Sequence, residues 1–449
     1  MRLMKNETCG LPKELDDGLL LRWATPEDVE ELAAFNVRIH SDNPEEPETF
    51  LANWTRDLMS GEHPTTQAHD FTVVVDTKQD NKIVSTMNLI SQTWLYEGIP
   101  FKTGRPELVA TDEAYRRRGL VRKQFEPIHA KSEARGEVVQ AITGVPWYYR
   151  MFDYEMALDL GGACNFEWSR GGNFKAVDPE PYQFRRATVA DIPVLAKLYE
   201  EHGRYNLINR LRDKTLWQYE ITGPHEASPY SRNFQLIETV PENEIVGYVE
   251  YKKWGGRFVV RELGVLPGLS WRPVCLFVTR ALKSEADRLV ESGEKPAAKY
   301  ISFGLGAAHP VYDALGKQLE KQNPPYAWYM RVPDLPGFMQ RIAPVLERRL
   351  ADSVLVGHTG TTKLSFYRSE IKLEFAAGKL VEVGSYQRKL IDDGDACFPD
   401  LTFLQLLFGR RSFEELNHAS ADCFAKNAET AVLLNILFPK KHSSVVGLG

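Results

Sequence analysis

Hydrophobic and polar positions follow an order in this chain that occurs twice. The first stretch is Leu21-Arg22-Trp23-Ala24-Thr25-Pro26-Glu27-Asp28-Val29-Glu30-Glu31-Leu32-Ala33. It reads as a short strand stopping at Thr25, whose hydroxyl can cap the helix that follows. From Phe184 the chain reads FRRATVADIPVLA, and Arg185, Ala187, Thr188, Asp191, Leu195 and Ala196 each stand 163 residues after a matching residue of the first stretch. Apolar residues then recur at helical spacing in both. At the same offset Phe71 and Phe234 open β-rich runs, FTVVVDTKQDNKIVSTMNLI and FQLIETVPENEIVGYVEYKKW. Each run has a polar turn between two strands, the pattern of an antiparallel hairpin. Strand, helix and hairpin in one order, twice, predict two related α/β domains over about 18–160 and 180–328. The remainder is patterned differently. PGFMQRIAPVLERRLAD reads as a helix and TKLSFYR and EIKLEFAAGKLVEVG as strands; LTFLQLLFGR and AETAVLLNILF close the chain as helices with one apolar face. The expected class is α/β (α+β): two tandem mixed-sheet domains, 1–160 and 161–328, and a C-terminal α+β domain, 329–449.

Composition narrows the function more than the fold. The 449 residues suit about three domains, and 43% hydrophobic and 26% charged residues are ordinary for a globular chain. No stretch approaches the ~18 apolar residues of a membrane span, and MRLMKNETCGLPKEL has no signal-peptide apolar core, so the expected compartment is the cytoplasm. Five cysteines, Cys9, Cys164, Cys275, Cys397 and Cys423, are widely spaced without a CxxC, which argues against a disulfide framework and a structural zinc site. A net charge of −6 gives no footprint for nucleic acid. It suits cationic substrates and surface solubility equally well.

The candidate chemistry begins after the first hairpin, at Glu107-Leu108-Val109-Ala110-Thr111-Asp112-Glu113-Ala114-Tyr115-Arg116-Arg117-Arg118-Gly119-Leu120-Val121-Arg122. A strand runs into a basic, glycine-containing turn, and a helix starts there with Val121, Phe125, Ile128 and Ser132 near one face. Open N–H groups at a helix start attract anions, glycine admits a close phosphate, and arginines add charge-assisted bonds. The turn is thus a candidate pyrophosphate cradle, or else a solvated basic turn before a surface helix. GxxxxGK[ST], a post-strand GxGxxG, HExxH and GxSxG are all absent. The ten histidines are scattered singly; His129, on the helix after the turn, reads as a structural residue.

A strand followed by Arg116-x-x-Gly119-x-Val121 and a helix resembles the acetyl-CoA motif of GNAT acetyltransferases, with Val121 where that family has Gly or Ala. The fuller likeness is to the Eis-like (enhanced intracellular survival) enzymes. It rests on the repeat, the RRRGLV turn, a tyrosine motif, RVPDLPGFMQRIAPVL and FLQLLFGRRSFEEL, and covers nearly the whole chain. The resemblance implies two GNAT-like domains, the second degenerate, and a sterol-carrier-protein-like C-terminal domain. It implies acetyl-CoA-dependent N-acetylation of a primary amine, of a small molecule such as an aminoglycoside-like polyamine or of a lysine, by a homo-oligomer without a metal. Val109, Ala110, Thr111, Arg117, Arg118, Gly119, Leu120, Val121 and Arg122 would hold acetyl-CoA, with a strand N–H near Val109 to Thr111 holding the oxyanion.

In Trp147-Tyr148-Tyr149-Arg150-Met151-Phe152-Asp153-Tyr154, Tyr149-x-x-Phe152-Asp153-Tyr154 preserves the family's Y-x-x-F-G-Y spacing, with Asp153 in place of glycine. The resemblance makes Tyr149 the general acid that protonates the leaving thiolate, a role open to a phenol. Tyr148 is its rival, and an aromatic core plug the alternative to both. The C-terminal carboxylate, here on Gly449, would be the base. Glu45, Glu46 and Glu48 either attract a cationic substrate or serve as a solvated helix start. In the second copy, aligning Glu262-Leu263 with Glu107-Leu108 sets Trp271-Arg272-Pro273-Val274 opposite Arg116 to Gly119. It has no glycine and Pro273 lacks an N–H, so this copy is expected to bind no acetyl-CoA. The rival reading is a non-catalytic ligand- or lipid-binding protein on a GNAT scaffold.

Overall fold

A computed structural model describes residues 10–169, 177–320, 323–390 and 392–445. The chain divides into two compact units. Of the described residues, the first takes in those up to Leu158, Leu207–Leu211 and Ala327–Ser443, and the second those within Asp159–Asn206 and Arg212–Tyr326.

The first unit is built on strands β1 (Lys13–Leu15), β2 (Leu19–Trp23), β3 (Phe71–Asp76), β4 (Lys82–Tyr96), β5 (Ile99–Thr111), β6 (Val139–Ile142) and β7 (Glu155–Leu160), with helices α1 (Val29–His40), α2 (Phe50–Met59) and α3 (Leu120–Ala134). The second contains β8 (Cys164–Glu167), β9 (Tyr182–Arg186), α4 (Ile192–Gly203), α5 (Lys214–Thr222), β11 (Phe234–Thr239), β12 (Ile245–Trp254), β13 (Arg257–Val265), α6 (Trp271–Glu291) and β14 (Tyr300–Phe303). Two further strands, β10 (Ile208–Arg210) and β15 (Tyr326–Arg331), return to the first sheet. Its order is β1-β2-β3-β4-β5-β6-β15-β7, with β10 on β4; the second sheet runs β8-β14-β13-β12-β11-β9. Both are mixed, since β5–β6 and β13–β14 pair in parallel within otherwise largely antiparallel sheets.

The repeat is visible at atomic detail. Thr25 and Asp28 form a capping box before α1, and Thr188 and Asp191 form the same box before α4. Arg22 holds Asp28 through two hydrogen bonds of 2.7 Å, and Arg185 holds Asp191 through two of 2.9 and 3.0 Å. In the first sheet the strand antiparallel to β6 is β15, drawn from about 190 residues downstream; in the second sheet the strand antiparallel to β14 is β8, from the segment following β7. The expected boundary at 328/329 thus falls inside β15.

The C-terminal segment carries a five-stranded sheet built on Gly360–Ser365, Glu370–Ala376 and Lys379–Gly384. The single helix expected over PGFMQRIAPVLERRLAD is two, Leu335–Arg341 and Ala343–Ala351. Pro344 has no N–H and its ring crowds the preceding turn, so the chain restarts there with Pro344 in the first turn of the new helix. Among the described residues no helix is long and apolar enough to cross a membrane.

Candidate functional site

The site begins with a defect in a strand. Thr86 pairs with Ala110 and Asn88 with Glu107, so Met87 faces both Leu108 and Val109, a β-bulge. Leu108 takes φ 50°, a left-handed conformation that costs a non-glycine residue about 1–2 kcal/mol. Such strain in the middle of a strand marks a place where the backbone is held for use. The parallel pairing of β5 with β6 is confined to Thr103↔Val139 and Gly104↔Gln140. Beyond Gly104 the two strands part, and the edge of β5 from Val109 to Thr111 faces a cleft of about 690 Å³.

After β5 the chain turns through Arg116–Gly119. Arg117 (φ 63°) and Gly119 (φ 72°) are both left-handed, and Gly119 is the residue before α3. No side chain caps α3, so the amides of its first turn open toward the cleft. Buried Gln124 anchors the helix, donating to Ser85 Oγ (2.7 Å) and accepting from Thr72 Oγ1 (3.1 Å); Ser85 Oγ in turn donates to Ala110 O (2.8 Å). Helix start and bulged strand are therefore fixed to one another by side-chain hydrogen bonds.

Val109, Ala110, Thr111, Arg117, Gly119, Leu120, Val121 and Arg122 all line the cleft. Arg118 does not: its guanidinium donates to Asp17 at 2.8 Å and lies over the Tyr115 ring. Arg122 lies over Phe152, 5.0 Å from the ring centroid.

Tyr149 and Tyr148 close the cleft on a short 3-10 helix, Tyr148–Phe152, bracketed by left-handed Trp147 (φ 68°) and Asp153 (φ 65°). Asp153 thus takes the conformation for which glycine is favoured. Tyr149 is buried against Phe125, Tyr148 and Tyr329. Burial, with Glu107 nearby, pushes its phenol far above the usual value, so it is protonated at any working pH. Tyr148 is half-buried and shifted upward for the same first reason. Gly449 lies outside the described residues.

Several contributors were not apparent from sequence. Tyr329 of β15 accepts a hydrogen bond from Trp147 N at 2.5 Å, bracing the Tyr149 turn from a distant segment. Buried Glu107 pairs with Arg105; burial outweighs that pairing and pushes its carboxyl above the usual range. Ile39 and His40, at the end of α1, line the cleft. His129 is structural: burial lowers its imidazole to about 3, and its Nε2 lies 2.8 Å from the Tyr154 hydroxyl. Glu45, Glu46 and Glu48 lie in the loop before α2, Glu45 and Glu46 exposed.

The second sheet differs at each matching point. Its bulge falls at Arg261, Leu263 pairs regularly with Val249, and Gly264 pairs with Tyr248. The residue before α6 is Ser270, with extended backbone. The structural counterpart of Gly119 is therefore Ser270 rather than Val274, which is buried within α6; the alignment by spacing slips by four residues because the β13–α6 turn is three residues shorter and the bulge residue follows Glu107 in β5 but precedes Glu262 in β13. Pro273 still stands in the first turn of α6. Trp271 packs edge-on against His202 (4.9 Å) and His309 (5.4 Å), and a Cβ on Gly264 would meet the His202 ring at 3.4 Å. Aromatic side chains fill the ground that the first unit leaves open.

Residues 21–157 match the family model described as an acetyltransferase (GNAT) domain. No curated protein sequence matches the chain. Among solved structures, it is similar to a GCN5-related N-acetyltransferase from Kribbella flavida (16% identity, TM-score 0.65, covering 95% of this chain and 97% of that one). It is similar also to Eis1 from Mycobacterium abscessus (13%, TM-score 0.57, 96% and 100%). A third likeness is to Saccharomyces cerevisiae N-myristoyltransferase, solved with myristoyl-CoA (10%, TM-score 0.52, 72% and 80%). At these identities the likeness is one of fold. The bulged strand, the arginine turn and Tyr149 all fall within the residues that match the acetyltransferase (GNAT) domain model.

Proposed function

We propose that the cleft between β5 and α3 binds acetyl-CoA and that the protein transfers the acetyl group to a primary amine of a small molecule or peptide, such as an aminoglycoside-like polyamine or a lysine. The observation that carries this reading is the convergence, on one cleft, of an open strand edge at a strained bulge, an uncapped helix start beside arginines, and a buried protonated tyrosine. These residues fit acetyl-CoA. Arg117, Gly119, Leu120, Val121 and Arg122 would take the phosphates. The edge of Val109, Ala110 and Thr111 would take the extended arm and the thioester carbonyl.

Acetyl-CoA supplies an activated acyl thioester. The amine nitrogen bonds to the acyl carbon, the carbon–sulfur bond breaks, and Tyr149 donates its proton to the departing sulfur. The amine must first lose a proton. Gly449 is the acceptor that the resemblance implies.

We read 161–328 as a second, non-binding GNAT-like copy, supported by the repeated capping box and strand order, and 329–449 as a sterol-carrier-like domain. The Eis-like assignment, self-association and a cytoplasmic location belong to the same reading. The test is incubation with acetyl-CoA and a panel of polyamines, aminoglycosides and lysine peptides while free thiol is followed. Acetyl-CoA binding without thiol release for any amine would overturn the enzyme in favour of a binding protein.

A further inference from the structure

Among the described residues that line the cleft, the charged side chains are Arg116, Arg117 and Arg122, with no aspartate or glutamate. All three are exposed. Arginines elsewhere in the first unit sit on carboxylates: Arg22 on Asp28, Arg38 on Asp112, Arg56 on Glu30 and Arg118 on Asp17, at 2.6–2.9 Å. The cleft arginines do not. Arg116 lies 4.0 Å from Glu113, whose carboxylate stands in water, and only its Nε is engaged, donating to Thr111 O at 3.3 Å. Among the described residues Arg117 and Arg122 form no ion pair; Arg122 rests on the Phe152 ring. A cleft lined by one sign of charge concentrates ligands of the opposite sign.

The amount of charge says more about the ligand than its sign. On the acyl-CoA reading proposed above, on which this inference rests, the pyrophosphate sits at the start of α3. It carries one negative charge on each phosphorus. The open amides of the first helical turn, and Arg122 within that turn, answer those charges. Arg116 and Arg117 stand before the helix and are left over. Arg117 is moreover held at φ 63°, where glycine would be the unstrained choice, so its side chain is kept at a cost in backbone energy. Dephospho-coenzyme A offers these two cations nothing more. Coenzyme A does, because its ribose bears a 3′-phosphate monoester with a charge of about −1.5 to −2 at pH 7. Two guanidiniums match one such group.

We propose that Arg116 and Arg117 bind the 3′-phosphate of the donor, so that the protein selects thioesters of coenzyme A over those of dephospho-coenzyme A. The two guanidiniums act on donor affinity and not on the reacting carbon. Arg118 takes no part, its charge being matched by Asp17.

Calorimetry with coenzyme A and with dephospho-coenzyme A tests this. The wild-type protein should bind coenzyme A about 10- to 100-fold more tightly, the range of two charge-assisted contacts screened by solvent. Changing Arg116→Gln and Arg117→Gln together should erase the preference: coenzyme A affinity falls to the dephospho level, and dephospho-coenzyme A binds as before. Equal wild-type affinity for the two ligands, or an equal loss for both in the variant, overturns the proposal while the acyl-CoA reading stands. Wild-type protein that binds neither overturns both. Should the variant fail to fold, phosphorus NMR of coenzyme A on the wild-type protein decides: the 3′-phosphate must titrate at lower pH bound than free, because guanidiniums favour its dianion. An unmoved titration overturns the proposal.

Discussion

Arg117 and Arg118 are adjacent, identical in type and indistinguishable in the sequence, yet the structure gives them different work. Arg117 lines the cleft, whereas Arg118 is committed to Asp17 and the Tyr115 ring. On the proposed acetyl-CoA reading, Arg117→Ala removes one charge-assisted phosphate contact, for which about 1.5–3 kcal/mol is usual. Arg117 stands in solvent at the cleft rim, so screening favours the lower half of that range. The expected loss is ~1.5–2 kcal/mol, or roughly 10- to 30-fold in acetyl-CoA Kd. The left-handed backbone at residue 117 is equally strained for Arg and Ala, so the substitution reads out the charge and not the turn. Arg118→Ala breaks a surface pair with an exposed aspartate, worth at most about 1 kcal/mol of stability, and leaves acetyl-CoA affinity where it was. Calorimetry on both variants at low and high salt is the assay, and the Arg117 effect should shrink as salt rises. Equal losses in the two variants, a larger loss in Arg118→Ala, or a salt-independent Arg117 effect would refute the assignment.

Tyr149→Phe should lower turnover by roughly 10²–10⁴ with acetyl-CoA affinity nearly unchanged, and Tyr148→Phe should lose far less; a reversed order in amine-acetylation kinetics would shift the acid to Tyr148. Titration should give one acetyl-CoA per chain, because aromatic side chains occupy the corresponding ground beside Gly264 in the second sheet, and a ratio of two would contradict this. Glu97 is bound by Arg348, Arg349 and Lys441 at 2.8–2.9 Å, which lowers its carboxyl to about 2 despite the opposing cost of burial. Discounted for partial exposure, Glu97→Gln should cost ~1–2 kcal/mol in urea unfolding at pH 7. Because the folded-state value is depressed, that difference is full above about pH 4.5 and vanishes as pH falls toward 2; a difference constant across that window would show that the charge is not its source.

The sequence alone determined what short-range physics controls. Thr25 and Thr188 announced helix starts through capping chemistry acting over three residues, and alternation exposed the hairpins at Phe71 and Phe234. The arginine turn and the Tyr149 motif were legible because each lies within one segment whose residue types carry the signal. Tertiary structure decided the rest. The bulge at Leu108 arises from the register between β4 and β5, which no local pattern encodes. Glu107 becomes an unusual carboxyl only when packing takes it out of water, and Tyr329 braces Tyr149 only because β15 crosses back into the first sheet. Arg118 is diverted by an aspartate 101 residues away, which leaves Arg116 and Arg117 to the cleft. Capping and alternation act between neighbours in the chain, whereas desolvation, strand register and ion pairing depend on which distant segments meet.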